Sequence, residues 1–552
     1  METPTSPLPQ PPELSEDQWR RLERHGTAVD LAAGRVLVAA GDRWYPLLAV
    51  DGGAVEVVRP ANRWFPETLA DAPQDRRFIG ELGVLSGQRA FLTVRATGRG
   101  RVLRFETDAV RRLLAEDDEL GDLLLHALWQ RRTSLTAGPA ALTLKIVGHE
   151  HSREALALRT YAARLDLVHT WVDADDAYCA AHDVAPADLP IVFVQGEPVP
   201  NATPGVLAER LGLAYSESED LAVDLAVIGA GPGGLAAAIY GASEGLRTVL
   251  IDGVAPGGQA ASTSRIENYL GFPYGVSGGS LIDGAQLQAL KFGVRVFAPC
   301  EAVALDGAGP DLTVTLADGA AVRARSVVVA TGAAYRRLPL DRWAEFEGAG
   351  IYYAATALEA RQVAGSSVVV VGGANSAGQA ALYLAGLSCD VHLVVRRPDL
   401  RATMSSYLVE RLLEHPGIEV HTESEVHALH GDDDLSGVTL SSGREVACAG
   451  LFCFIGAEPP TAWLEQPAKD ERGYLLTGND VPLDHAAAML AAIGREPLPF
   501  ETSTPGVFAA GDTRSGSMKR VAAAVGEGSS AVASVHRALA WTPAPDADPV
   551  SA

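Results

Sequence analysis

The chain has 552 residues, with 45 Lys and Arg against 69 Asp and Glu, a net charge of −24 and 47% hydrophobic residues. That length exceeds one compact domain and suggests about three to five, while the composition excludes a disordered chain and the acidic balance argues against nucleic-acid partners. Five cysteines (Cys179, Cys300, Cys389, Cys448 and Cys453) without a C-x-x-C pair exclude a disulfide framework and a cysteine-built zinc site, and fit a reducing, cytoplasmic compartment.

Residues 1–15 are Pro-rich and acidic, a disordered tail without the features of a signal peptide. From residue 16 to 137 a short helix that Ser15 can cap precedes short apolar stretches punctuated by Gly (RVLVAAG, YPLLAVDGGAVEVV, FLTVRATG, GRVLRF), which predict a small β-roll. Its flanking helix carries Leu120, Leu124 and Leu128 on one stripe. After the linker TAGPA, residues 141–214 predict a small α/β domain: strand LTLKIVG, helix SREALALRTYAARL, strand VHTWVDAD, a short helix, strand IVFVQGE and helix GVLAERLGL. Beyond residue 222 the texture is Gly/Ala/Val-rich, with two glycine turns 143 residues apart, which predicts two Rossmann-like dinucleotide-binding domains. Two uncharged stretches, Leu225 to Ser243 and Gln362 to Cys389, are interrupted by these turns and do not read as membrane spans.

The first turn is the strongest signal. Gly229, Gly231 and Gly234 form G-x-G-x-x-G between an apolar strand and an Ala-rich helix, and the next strand ends in Asp252, 23 residues beyond Gly229. The glycines serve the tight turn, the approach of a pyrophosphate and close helix–strand packing, and the acid suits a ribose diol. With GGQ (257–259), IENYLGFP (266–273), VVVATGA (327–333) and TPGVFAAGD (504–512) in order, residues 225–540 resemble low-molecular-weight thioredoxin reductases. The resemblance implies a homodimer with an FAD domain (222–341 and 459–545) interrupted by an NADPH domain (342–458), and a C-terminal tail at 546–552. It places Gly258, Gln259, Asn268, Val303, Thr331, Gly332, Gly511, Asp512, Arg520 and Ala522 around FAD, with Asp512 on the ribitol chain.

The second turn, at Gly372, Asn375 and Ser376, has Ala374 where the family usually has Gly, a methyl that would displace a pyrophosphate slightly. Arg396, Arg397 and Arg401 follow the next strand where an adenine ribose should lie, and they suit a 2′-phosphate; in the family such a cluster implies NADPH over NADH. The family's C-A-T-C-D disulfide segment corresponds here to GIYYAATALEA. Ala354 and Ala357 stand at the two cysteine positions and Leu358 at the acid, so the thiolate relay is absent. Tyr352 and Tyr353 just before it serve either as flavin contacts or as core aromatics.

Residues 141–214 resemble a glutaredoxin or thioredoxin domain, with Leu189-Pro190-Ile191 at the family's cis-proline, but the expected active-site turn, GHEHSREA, has no Cys. His149 and His151 lack a third ligand, so no metal site is expected. Residues 78–96 resemble the phosphate cassette of cyclic-nucleotide-binding domains, which implies Gly80 and Glu81 on a ribose and Arg89, one position early, on a cyclic phosphate. A cyclic nucleotide, another small ligand or a purely structural role all remain open there.

These readings converge on an NADPH-dependent FAD oxidoreductase with no catalytic side chain, passing electrons to a non-disulfide acceptor: a quinone, a ferredoxin- or flavodoxin-like carrier, or oxygen. A cyclic-nucleotide or redox sensor acting on a partner, and thioredoxin-disulfide reduction, are the alternatives.

Overall fold

Ser15 starts the first helix, Glu16–Glu23, through a capping box in which its hydroxyl accepts the Gln18 amide and Gln18 accepts the Ser15 N–H at 2.9 Å. The computed structural model describes residues 14–61, 67–71, 76–136, 139–150, 152–175, 178–180, 184–215, 222–263, 265–355, 357–432 and 434–541. The expected tails, apart from Leu14 and Ser15, and His151 lie outside these residues.

The N-terminal unit carries two four-stranded antiparallel sheets. One orders Thr27–Leu31, Gly100–Phe105, Leu47–Val50 and Phe78–Ile79; the other orders Val36–Val38, Thr93–Ala96, Val55–Arg59 and Thr68–Asp71. Thr27–Leu31 escaped the sequence reading because only Leu31 of it is buried, which leaves no alternation to detect. Helix Asp118–Thr136 buries Leu120, Leu124 and Leu128 against this core.

In the middle unit, strands Thr170–Asp173 and Leu144–Gly148 pair in parallel and are connected through helix Arg153–Arg164, while Ile191–Val194 and Glu197–Val199 extend the sheet antiparallel. The helix bridges what lies beyond it. Tyr161 donates its hydroxyl to the Ala298 carbonyl at 2.8 Å, Leu156 packs on the core of the second dinucleotide sheet, and Gln362 of that half donates to the Glu150 carbonyl at 3.2 Å.

The larger half contains two Rossmann-type sheets. The first orders Arg295–Phe297, Thr248–Ile251, Ala222–Ile228 and Ala321–Val329 in parallel, with Asp311–Leu316 and Ala302–Ala308 antiparallel beyond and Val507–Ala509 parallel to the end of Ala321–Val329. Helices Pro232–Ser243 and Val521–Ala540 pack on each other so closely that a Cβ on Gly528 would lie 2.0 Å from the Gly233 carbonyl oxygen. The chain leaves this sheet through Ala334–Tyr335 and returns through Ala457–Glu458, two strands paired antiparallel as a hinge. Between them lies the second sheet, Ile351–Tyr352, Gly450–Cys453, Ser367–Val371, Asp390–Val394 and Ile418–His421, all parallel, with a three-stranded meander over one face. Among the described residues no helix is long and apolar enough to cross a membrane.

Candidate functional site

The first glycine turn is built by the strand end at Ile228. Gly229 has φ +101°, and a Cβ there would lie 2.4 Å from the Ala330 carbonyl oxygen; one on Gly234 would lie 1.7 Å from the oxygen of Gly229. Those two glycines are demanded by packing alone. Gly231, which opens helix Pro232–Ser243 with no side-chain cap, is different: its Cβ would meet nothing nearer than the Gly258 Cα at 4.0 Å. The helix N-terminus therefore faces a gap walled by two bare Cα atoms, a cradle suited to a pyrophosphate.

Around that cradle the structure gathers most of the expected residues. Gln259 donates to the Ala333 carbonyl next to Thr331 and Gly332, and Thr331 Oγ1 lies 3.3 Å from Thr513 Oγ1, beside Asp512. Gly332 (φ +69°) has open space where a Cβ would stand. The Gly511 N–H is fixed by Glu527 at 2.8 Å, and Glu527 is in turn paired with Arg514. Asp512 is half-buried and accepts no hydrogen bond from the described residues; burial pushes its carboxyl up, Lys519 pulls it down and Glu527 adds to the rise. A half-buried carboxylate without a donor beside an open cradle fits a hydroxyl-rich ligand chain. The residues present therefore fit FAD.

Asp252 is placed differently from its reading as a ribose acceptor. Its carboxylate takes the Ala230 N–H at 2.7 Å and the Val254 and Ala255 N–H groups at 2.9 Å, so it first orders the turn itself. One of its roughly four lone-pair positions stays open to a ribose hydroxyl. Val303 is exposed, three residues past Cys300, whose N–H bonds the Asp252 carbonyl at 2.7 Å. Asn268 is exposed in the loop closed by the Ile266–Val276 bridge, and Arg520 and Ala522 are exposed at the start of helix Val521–Ala540.

The second turn repeats the design. A Cβ on Gly372 (φ +145°) would lie 2.4 Å from the Phe454 carbonyl oxygen. Ala374 caps helix Asn375–Ala385 in an ordinary extended conformation (φ −106°, ψ 174°), so its methyl adds no backbone strain. The turn is anchored from the far side, with Asn375 accepting the Ser405 N–H at 2.8 Å and Thr403 donating to the Gly373 carbonyl at 2.7 Å. Ser376 is exposed on the first helical turn. Arg396, Arg397 and Arg401 are all exposed past strand Asp390–Val394, and none pairs with a carboxylate among the described residues. In so acidic a chain, three unpaired guanidinium groups at the mouth of a glycine turn fit an anionic ligand such as a ribose 2′-phosphate.

At the missing relay, Ala354 is half-buried and Ala357 begins helix Ala357–Gln362. All five cysteines are buried. Burial pushes the Cys448 and Cys453 thiols up to about 12, and those of Cys300 and Cys389 also rise. Tyr352 sits in the core with its hydroxyl on Gln362 at 2.8 Å, whereas Tyr353 stacks on Tyr335 of the hinge at 5.4 Å and an interplanar angle of 5°. Tyr335 carries no signal in the sequence; burial pushes its hydroxyl up to about 12.

In the N-terminal unit Gly80 and Glu81 line a small apolar cavity with Val38, Val57, Phe91 and Leu135. Glu81 is buried, accepts the Tyr45 hydroxyl at 2.5 Å and forms an ion pair with Arg132 at 2.5 Å. Arg89 turns elsewhere, donating to the Gly41 carbonyl at 3.0 Å and lying against Gly212 of the middle unit. The structure does not bring Glu81 and Arg89 to one cavity. In the middle unit the Leu189–Pro190 peptide is cis and Cys179 is buried.

Two glycine turns on two Rossmann-type sheets, joined by a two-stranded hinge, define a dinucleotide-dependent oxidoreductase. The chain belongs to the pyridine nucleotide-disulphide oxidoreductase family, which it matches over residues 223–528. It is 33% identical over 310 residues to a thioredoxin reductase of Treponema pallidum (55% of this chain, 93% of the relative). It is also 33% identical over 321 residues to a thioredoxin reductase of Streptomyces clavuligerus (57% of this chain, 93% of the relative). The crystal structure of T. acidophilum thioredoxin reductase aligns with a TM-score of 0.49 at 26% identity, over 57% of this chain and 98% of that one. The protein is an NADPH-dependent flavoprotein oxidoreductase, and its family implies FAD and NADPH.

Proposed function

We propose that the chain draws electrons from NADPH and delivers them to an acceptor other than a protein disulfide, a quinone, a ferredoxin- or flavodoxin-like carrier, or oxygen. The observation that carries this is the pair Ala354 and Ala357 at the relay positions, together with five cysteines that are all buried. A thiolate relay needs two accessible sulfurs within reach of each other, and alanine supplies none. FAD, when bound, supplies the hydride and electron chemistry. The protein's part is binding and orientation: the Gly231–Gly258 gap and Asp512 for one dinucleotide, the Gly372 turn and Arg396, Arg397 and Arg401 for the other. No side chain is assigned a proton transfer.

A second reading, disulfide reduction, rests on the name that the relatives carry. An acceptor screen separates the two: with NADPH in excess, turnover with quinones or small electron carriers and none with oxidised thioredoxin supports the proposal, and the opposite pattern overturns it. The N-terminal unit enters the proposal as a regulator, since its buried Glu81–Arg132 pair reaches the Leu165 and Asp166 carbonyls of the middle unit at 3.4 and 3.3 Å. A cyclic nucleotide would have to take Glu81 from Arg132 and Arg89 from Gly41, which speaks for a different ligand or a structural role. A homodimeric, cytoplasmic protein completes the reading.

A further inference from the structure

Away from both dinucleotide turns, two neighbouring parallel strands bring three metal-ligating side chains together. The register pairs His392 with Glu419 and Val394 with His421. Residues two apart on a strand share a face, so Glu419 and His421 project together and His392 meets them from the adjacent strand. His392 Nδ1 lies 3.1 Å from His421 Nε2 and 3.3 Å from Glu419 Oε2, and His421 Nε2 lies 3.8 Å from the same oxygen. Among the described residues this is the one group of three such side chains whose ligand atoms all fall within 4.8 Å of one another.

Those separations match a single small ion. Ligands at about 2.0–2.2 Å in tetrahedral geometry stand roughly 3.3–3.5 Å from each other, between the shortest and longest of the three distances. The rings are largely covered, with His392 at 17% and His421 at 11% exposure, while Glu419 is 49% exposed, so the group opens to water on the carboxylate side. Arg444 forks onto Glu419 at 2.6 and 2.9 Å, which fixes the carboxylate as an outer-shell partner does in a metal centre.

We infer that His392 Nδ1, His421 Nε2 and Glu419 Oε2 form a site for one divalent ion of the zinc class, with water completing the coordination. Two imidazoles and a carboxylate select borderline-soft ions over calcium or magnesium. A shared proton between the two rings would produce a similar approach without any ion, and titration decides between them.

The test uses the full-length, FAD-loaded protein, stripped with a chelator and titrated with zinc chloride in a calorimeter. The expected result is one equivalent per chain with a dissociation constant of about 1 µM or tighter, weakened at least about 100-fold in His392→Gln and His421→Gln. Flavin absorbance and far-UV circular dichroism report whether each variant is folded. Zinc-edge X-ray absorption on the loaded wild type gives a reading that needs no variant: two imidazole rings at about 2.0 Å. Absence of a saturable equivalent in the wild type, unchanged binding in the folded double variant, or a shell of sulfur or of oxygen alone would each overturn the assignment.

Discussion

Replacing Arg396 and Arg397 together by Gln tests the second dinucleotide turn most sharply. Both side chains are exposed and neither is paired with a carboxylate among the described residues, so no internal ion pair is lost and the fold is left intact. Gln retains part of the aliphatic stem while removing the charge. A charge-assisted hydrogen bond contributes about 1.5–3 kcal/mol, and exposure puts these two at the lower end. Two of them give about 3 kcal/mol, or roughly 100-fold in affinity for NADPH. NADH lacks the 2′-phosphate, so its affinity should change by no more than about two-fold, and the salt dependence of NADPH binding should flatten in the variant. Stopped-flow reduction of the flavin at several nucleotide and salt concentrations measures all of this. Equal losses for NADPH and NADH, or no loss for either, would refute the placement of the 2′-phosphate.

Three further outcomes concern a buried ion pair, a partly desolvated carboxyl and buried sulfur. Glu501 is fully buried, forks onto Arg495 at 2.5 and 2.8 Å and accepts the Leu498 and Gly506 N–H groups at 2.8 Å. Glu501→Ala strands the buried Arg495 without its partner and should cost about 3–5 kcal/mol in chemical denaturation; a change below about 1 kcal/mol would contradict that. Asp283 lines a cavity of about 80 Å³ between the N-terminal, middle and FAD parts; the residue is exposed on its outer side, yet partial desolvation and then the Asp166 charge push its carboxyl up to about 6. The fold thus prefers the protonated acid, and stability is lost as pH rises from about 4 through 6. Asp283→Asn should therefore match the wild type near pH 4 and exceed it at pH 8, by less than about 1 kcal/mol after solvent screening; an offset in melting temperature that is independent of pH would sink this. Iodoacetamide should label none of the five cysteines in the native protein and all of them in denaturant, as mass spectrometry would show.

The parts of the site that were legible in the sequence are local. Gly229, Gly231, Gly234 and Asp252 fall within one strand–turn–helix–strand unit, where spacing alone determines which atoms meet. The arginines after strand Asp390–Val394 were legible for the same reason, and so was the loss of both relay sulfurs. What escaped depends on distant partners. Arg132 reads as a solvated helix residue until the fold sets it on Glu81, 51 positions away. The Tyr335–Tyr353 stack exists because the hinge strand Ala334–Tyr335 returns beside the start of the second sheet. His392, Glu419 and His421 meet only through the pairing of two parallel strands, and no spacing rule encodes that register. In the N-terminal cassette the one-position offset of Arg89 was visible, but its consequence was not. The side chain turns away from the Glu81 cavity, donates to the Gly41 carbonyl within the roll and lies against Gly212 of the middle unit.

Electron capacity per flavin tests the central claim most directly. A flavin takes two electrons, and an adjoining redox-active disulfide takes two more. Anaerobic titration of the purified protein with dithionite, followed at the flavin absorbance maximum and confirmed with NADPH, should reach full bleaching at two electrons per FAD, with no thiols appearing. Four electrons per FAD, with two new thiols, would contradict an account in which Ala354 and Ala357 have removed the relay.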